Sequence, residues 1–512
     1  MTRTAARSRH GIEARGPGAG PRRGLFALFL TLTLTLLAPP AARADPAALQ
    51  AALPALRAGF ARFLRTERVP GLVWGIVNRE GAVHLEAMGL ADVATGRPVT
   101  IDTAFRIASM TKAFTARVVL ELAAEGRLDL DDPAVRYVPE LGRWAPDVTV
   151  ADLLHHTAGF VTDDPWADRQ QPLPEAEFTR LLAAGVPFNR PPGTAHEYSN
   201  LGYAILGRIL TNLEGRPYQD EIAQRILRPL GMDSTTFEVR AVPADRLARG
   251  YRFEDGRWVE EPMMGDGAFG AMGGLVTTAR DYARWMAWLL QGLPGDPTRP
   301  RSADVRRRMA EGRGFVVRRP RPGRDAPSCE HALIYAGGLR AGDDCLLGRF
   351  LMHSGGYPGY GAHMVLWPEA GVGLFAFANR TYAAPVAPVW DAAGELKRRG
   401  FLNAAPLSVS PALAQAMTAV RRIWGQGRID AEPARLAPNM PLDRSPSAWA
   451  AELARLKREL GPCEVNAPPT PTGALSGRFE WPCRFGILAG EVLLAPTPEP
   501  EIQALRLAIA RP

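Results

Sequence analysis

The stretch "FRIASMTKAFTARVVLELAAEG", residues 105–126, sets a serine and a lysine three positions apart at the head of an apolar run. Phe114, Val118, Val119 and Leu122 make that run read as a buried helix starting at Ser109. Residues i and i+3 share a helix face, which brings Ser109 Oγ within reach of Lys112 Nζ. Any fold for this chain must therefore enclose a lysine in apolar surroundings. The residue type carries information too, because only Lys112, Lys397 and Lys457 are lysine among 61 Lys+Arg. Arginine keeps its charge, whereas a buried lysine can lose its proton and act as a base. Desolvation disfavours the ammonium and so makes Lys112 able to take a serine proton. A helix start there would also offer backbone N–H groups to a developing oxyanion. The bland alternative is a structural lysine, which an isolated S-x-x-K does not exclude.

The 512 residues suffice for a large domain and a smaller one. A net charge of +8 hints at a polyanionic partner, but residues 1–44 hold seven arginines against the single acid Glu13. The remainder carries 54 cations against 52 anions, so no nucleic-acid partner is expected. Residues 1–44 read as a secretory signal: a basic start, an apolar run from Leu25 to Ala38, and Ala-Arg-Ala at 42–44. The apolar run is short for a membrane span, although an uncleaved anchor is the alternative. Arg22-Arg23 leaves the general and twin-arginine export routes both open. The expected product is secreted, to the periplasm, with no transmembrane anchor after cleavage.

Export makes the cysteines readable. Cys329, Cys345, Cys463 and Cys483 lack C-x-x-C spacing and clustered histidines, so neither a metal nor a cofactor is expected. In an oxidising compartment four cysteines suggest two disulfides. Of three pairings, 329–345 with 463–483 closes the shortest loops.

Residues 46–66 read as an amphipathic helix, and 71–88 as two strands around an Arg-Glu-Gly turn. Helical patterns dominate from 105 to about 290, broken by "NRPPGT" at 189–194 and "GDGAFGAMGG" at 265–274. The Arg- and Pro-rich 292–328 reads as an exposed excursion, and 162–190 and 292–345 as loops. Three strands follow in "LLGRFLMHSGG", "AHMVLWPEAG" and "VGLFAFANR". Beyond a boundary near 405 come two helices and a strand pair. The expected domains are thus 45–404 and a small α+β unit at 405–512, which resembles the cystatin-like or nuclear-transport-factor-like folds.

Two further stretches join the first. "PPGTAHEYSNLGYAILGRIL" places Tyr198 and Asn200 between a Pro/Gly loop and an apolar helix ending at Glu214-Gly215. "FLMHSGGYPGYG" places His353, Ser354, Gly355 and Gly356 at a strand end. Each has a bland reading, as a helix cap and as a satisfied core histidine. Together S-x-x-K, Y-x-N and H-S-G resemble the serine β-lactamase and penicillin-binding-protein superfamily, in the branch of class C β-lactamases, D-alanyl-D-alanine carboxypeptidases and related esterases. The resemblance covers about residues 50–400, and "LLHHTAGF" at 153–160 and "GGLVTTARDYARWMAWLL" at 273–290 echo it.

The resemblance implies an α+β fold, a central antiparallel sheet flanked by helices with a helical lobe beside it. It implies that Ser109 is acylated, that Lys112 and Tyr198 manage its proton, and that Asn200 orients Lys112 and the substrate amide. The N–H groups of Ser109 and Gly356 would form the oxyanion hole, and His353 would line the substrate-carboxylate side. The substrate would be a small molecule or peptide: a D-amino-acid peptide, a β-lactam or a carboxylic ester. His353 departs from the lysine usual in β-lactamases, which removes a fixed positive charge. The rivals are an inactive module that binds peptidoglycan fragments or a partner protein, a G-x-S-x-G hydrolase, for which no motif exists, and a metalloenzyme using His155 and His156, which adjacent helical positions point apart. No oligomeric state follows from the sequence.

Overall fold

The computed structural model describes residues 46–293, 305–323, 330–403 and 407–510; the expected signal at 1–44 and Cys329 lie outside them. Helix α1 (Pro46–Thr66) buries Leu49, Leu53, Leu56 and Phe60 along one face, as its periodicity requires. Strands β1 (Gly71–Asn78) and β2 (Gly81–Asp92) form the hairpin expected at the Arg-Glu-Gly turn, and β3 (Arg97–Pro98) edges it. Every residue of β1 but the last is buried, the mark of a strand covered on both faces.

The sheet around β1 has nine strands among the described residues. Its later members are β4 (Arg313–Pro320), β5 (Glu330–Tyr335), β6 (Arg340–Asp344), β7 (Gly348–Tyr357), β8 (Tyr360–Trp367) and β9 (Val372–Ala378). The order is β3-β2-β1-β9-β8-β7-β6-β5-β4, and the Leu72–Ala378 register joins the early hairpin to the late strands. The expected three late strands are β7, β8 and β9. The excursion expected over 292–328 is corrected at β4, which extends the sheet, and the loop expected over 292–345 contains β5 and β6 as well. These edge strands are half exposed: in β5, Glu330, Ala332 and Ile334 face solvent while His331, Leu333 and Tyr335 face inward, and composition alone hides the alternation.

On one face of the sheet, α1 packs with a later helix (Val386–Arg398), and Phe60 stacks on Trp74 at 4.6 Å between centroids. The opposite face carries the helical lobe, where α2 (Lys112–Ala124) stacks Phe114 on Trp285 at 4.1 Å. That lobe also holds α3 (Asp164–Arg169) and α4 (Asn200–Glu214). The 162–190 loop is therefore corrected too: it contains α3 and a helix over Glu175–Ala184.

Residues 407–510 supply two capped helices (Pro411–Gln426 and Pro446–Leu460) over a four-stranded antiparallel sheet. Leu413, Trp449, Leu453 and Trp481 centre an apolar cluster of their own there. The expected strand pair is Ser476–Cys483 and Gly486–Leu494, and the strands Thr470–Gly473 and Ile502–Ala510 flank it. Cys463 is bonded to Cys483 across 20 residues of sequence, and Cys345 is also disulfide-bonded. Closing a loop of that length is worth about 3 kcal/mol, so reduction is expected to lower the stability of residues 407–510 by about that amount. Hydrogen exchange with and without reductant checks it. Unchanged protection of these strands after reduction would show that the bridge contributes nothing.

Candidate active site

The Ser109 helix start differs from the expectation. Residues Ala108–Thr111 form a 3-10 turn, and the α-helix proper starts at Lys112. In a 3-10 turn residues i and i+3 eclipse, which aligns Ser109 with Lys112 more directly than an α-turn would. Ala108 enters the turn at φ +50°, a left-handed conformation that costs a non-glycine residue about 1–3 kcal/mol. The strain falls immediately before the serine. Behind it, β7 approaches so closely that a Cβ on Gly355 would stand 2.2 Å from the Ile107 carbonyl oxygen. Glycine is required at 355 for that contact, and Gly355 supports the turn from below.

Lys112 is fully buried. Its Nζ lies 2.6 Å from Asn200 Oδ1, 2.8 Å from the Met272 carbonyl oxygen and 3.1 Å from Ser109 Oγ. A neutral amine has two N–H donors and one lone pair. With Asn200 and Met272 taking the donors, the lone pair faces Ser109. Burial lowers the Lys112 pKa to about 8, against the pull of Asp164, Asp168 and Asp163. Turnover limited by this base is therefore expected to rise about tenfold per pH unit up to about 8 and to level off above. The sign follows from the free amine being the active form. A pH profile of kcat/KM on a neutral ester checks it, and a flat profile between pH 6 and 8 would contradict it.

Asp163 places the second motif. Its carboxylate accepts from the Asn200 and Leu201 N–H groups at 2.7 and 2.9 Å, a negative charge at the positive end of α4. Ser199 Oγ accepts from the Gly202 N–H, and Gly215 closes the helix in the left-handed conformation. Tyr198, just before the cap, lies 4.3 Å from the His156 ring and 4.9 Å below Lys112 Nζ. Burial raises its pKa well above 10, with Tyr335 and Asp164 adding to the rise and a Ser109 hydrogen bond opposing it. Tyr198 is thus a phenol and a proton donor at neutral pH.

His353 is held at both nitrogens: Nδ1 donates to the Ser354 carbonyl at 2.6 Å, and Nε2 accepts from Tyr335 Oη at 3.1 Å. Burial and then Arg340 push its pKa well below 6.5, so it is neutral. Ser354 Oγ pairs with His363 Nδ1 at 2.9 Å. Ser109, Tyr198, His353, Ser354 and Gly356 line one cavity of about 400 Å³. Lys112 and Asn200 stand behind its wall, and both are fully buried. Asn200 Nδ2 donates to Asp164 Oδ1 at 2.8 Å.

The sequence reading missed four residues that line the same cavity: Arg340, Asp164, Asp168 and Tyr382. Arg340, on β6 opposite Met352, carries the cation that His353 lacks. Tyr382 donates to Asp168 Oδ2 at 2.9 Å and covers Gly356, where an added Cβ would meet its ring at 2.8 Å. No group of three or more His, Cys, Asp or Glu suited to a metal occurs among the described residues. His156 accepts from the Ser199 N–H through Nδ1 and backs Tyr198.

A nine-stranded antiparallel sheet with helices on both faces, and a motif-bearing turn at the junction of sheet and lobe, define the β-lactamase/transpeptidase-like fold. The sequence profile of the Beta-lactamase family matches residues 56–397, and the chain belongs to that family. It is 35% identical over 238 residues to Esterase EstB of Burkholderia gladioli, covering 43% of this chain and 59% of the esterase. It is 32% identical over 249 residues to Protein Rv1367c of Mycobacterium tuberculosis, covering 43% and 62%. Against the D-alanyl-D-alanine-carboxypeptidase/endopeptidase AmpH of Escherichia coli it is 27% identical over 289 residues, covering 55% and 72%. The chain thus spans less than two thirds of the first two relatives.

Proposed function

We propose that the protein is an exported serine hydrolase that forms an acyl-enzyme on Ser109 and cleaves a small ester or amide. The observation that carries this reading is the buried amine 3.1 Å from Ser109 Oγ, its other two contacts both acceptors. Lys112 takes the hydroxyl proton as Oγ attacks the carbonyl carbon. The C–O or C–N bond to the leaving group breaks as Tyr198 protonates that group and regains its proton from the Lys112 ammonium, which restores the free amine. Water then repeats the sequence to release the acid. The Gly356 and Ser109 N–H groups would stabilise the oxyanion, and Arg340 would attract a substrate carboxylate. Names of relatives, an esterase and a carboxypeptidase/endopeptidase, support an ester or peptide substrate. Residues 45–404 would carry this activity, with 405–512 as an added unit. No helix among the described residues is long and apolar enough to cross a membrane, which is compatible with release after export.

Parallel labelling with a fluorescent phosphonate and a fluorescent penicillin tests the reading. Phosphonate labelling alone points to an esterase or peptidase, and both labels to an enzyme that also recognises penicillins. Neither label would overturn the hydrolase and leave a binding module.

A further inference from the structure

The acyl side of the cavity is an acceptor surface. Asn200 is fully buried, with Oδ1 accepting from Lys112 and one of its two Nδ2 donors given to Asp164, and it does not line the cavity. The group that meets the cavity in its place is the Asp164 carboxylate. Asp168, one turn further along α3, lines the same cavity, and Tyr382 holds only its Oδ2. Among the described residues neither carboxylate forms a salt bridge. The cation Arg340 lies by the Met352 end of β7, and Tyr382 with Asp168 lies by the Gly356 end. Burial raises the Asp168 pKa to about 7, so a cation beside it would draw it into the ionised form. The nucleophile sits in a cavity with Arg340 on one side and the two acids on the other. An N-acylated substrate would turn carbonyl lone pairs toward Asp164 and Asp168, whereas an ammonium would offer three donors.

We propose that this cavity selects acyl groups bearing a free amine, so that the substrate is an ester or amide of an unacylated amino acid, its ammonium held by Asp164 and Asp168. The inference rests on Ser109 as nucleophile. The reaction remains acyl transfer to Oγ and then to water, and the amine is held without reacting.

The test compares alanine methyl ester with N-acetylalanine methyl ester, each enantiomer at pH 7, with p-nitrophenyl acetate as the neutral substrate. Expected is a kcat/KM for the free amine about tenfold or more above that for the acetylated ester, because the latter offers the two acids no cation. The isosteric variants Asp164→Asn and Asp168→Asn are each expected to reduce that ratio, through a raised KM for the free amine. Turnover of p-nitrophenyl acetate without that preference overturns the amine site and leaves the nucleophile standing. So does a ratio unchanged in both variants. No turnover of any ester and no phosphonate label removes the nucleophile, and the amine site with it.

Discussion

Ser109→Ala is expected to bring ester turnover to background, a loss of about 10⁴-fold or more, and to abolish phosphonate labelling. The change removes one hydroxyl at a position that is nearly buried, and the turn that carries it is held by other contacts. The Lys112 N–H bonds back to the Ser109 carbonyl, and the Thr111 Oγ1 accepts from the Leu275 N–H at 3.2 Å. Neither contact needs the serine side chain. Its thermal midpoint should therefore stay close to that of the wild type, which separates lost chemistry from lost fold. Retained labelling in this variant would place the nucleophile elsewhere.

Lys112→Arg is expected to be nearly as damaging as Lys112→Ala, with turnover down about 10²–10⁴-fold, although it keeps the charge and follows the chain's own preference for arginine. A guanidinium has no lone pair to accept the serine proton. It is also planar and bulkier, and the space between Asn200 Oδ1, the Met272 carbonyl and Ser109 Oγ is fitted to one nitrogen. A lysine that only bridged those acceptors would predict the reverse, an arginine variant with most of its activity and an alanine variant short of stability. Turnover and thermal midpoints of both variants distinguish the two. Near wild-type turnover in Lys112→Arg would remove the base from the mechanism.

The parts of the site that the sequence exposes are those with a local signature. Helix α1, the 71–92 hairpin and the Ser199-to-Gly215 helix announce themselves through periodicity, a polar turn and caps. Ser109 and Lys112 stand out because lysine is scarce. Other features have no local signature. The 3-10 turn depends on Ala108 being held left-handed by the β7 contact, a tertiary effect no propensity anticipates. Strand β5 alternates exposed and buried residues at the sheet edge, and the arginines of β4 and β6 make the composition of the stretch imitate an exposed segment. Arg340 is one cation among many arginines, and Asp164 and Asp168 lie on a helix of 6 residues, too short to show periodicity. Tyr382 reaches Asp168 across 214 positions of sequence, a pairing visible only in three dimensions.

Peptide mapping of the wild-type protein after reaction with a phosphonate tests the central claim most directly. A single adduct is expected on the peptide that carries Ser109, formed faster as the pH rises toward 8 and Lys112 becomes the free amine. An adduct on any other residue, or none on an otherwise folded protein, would contradict it.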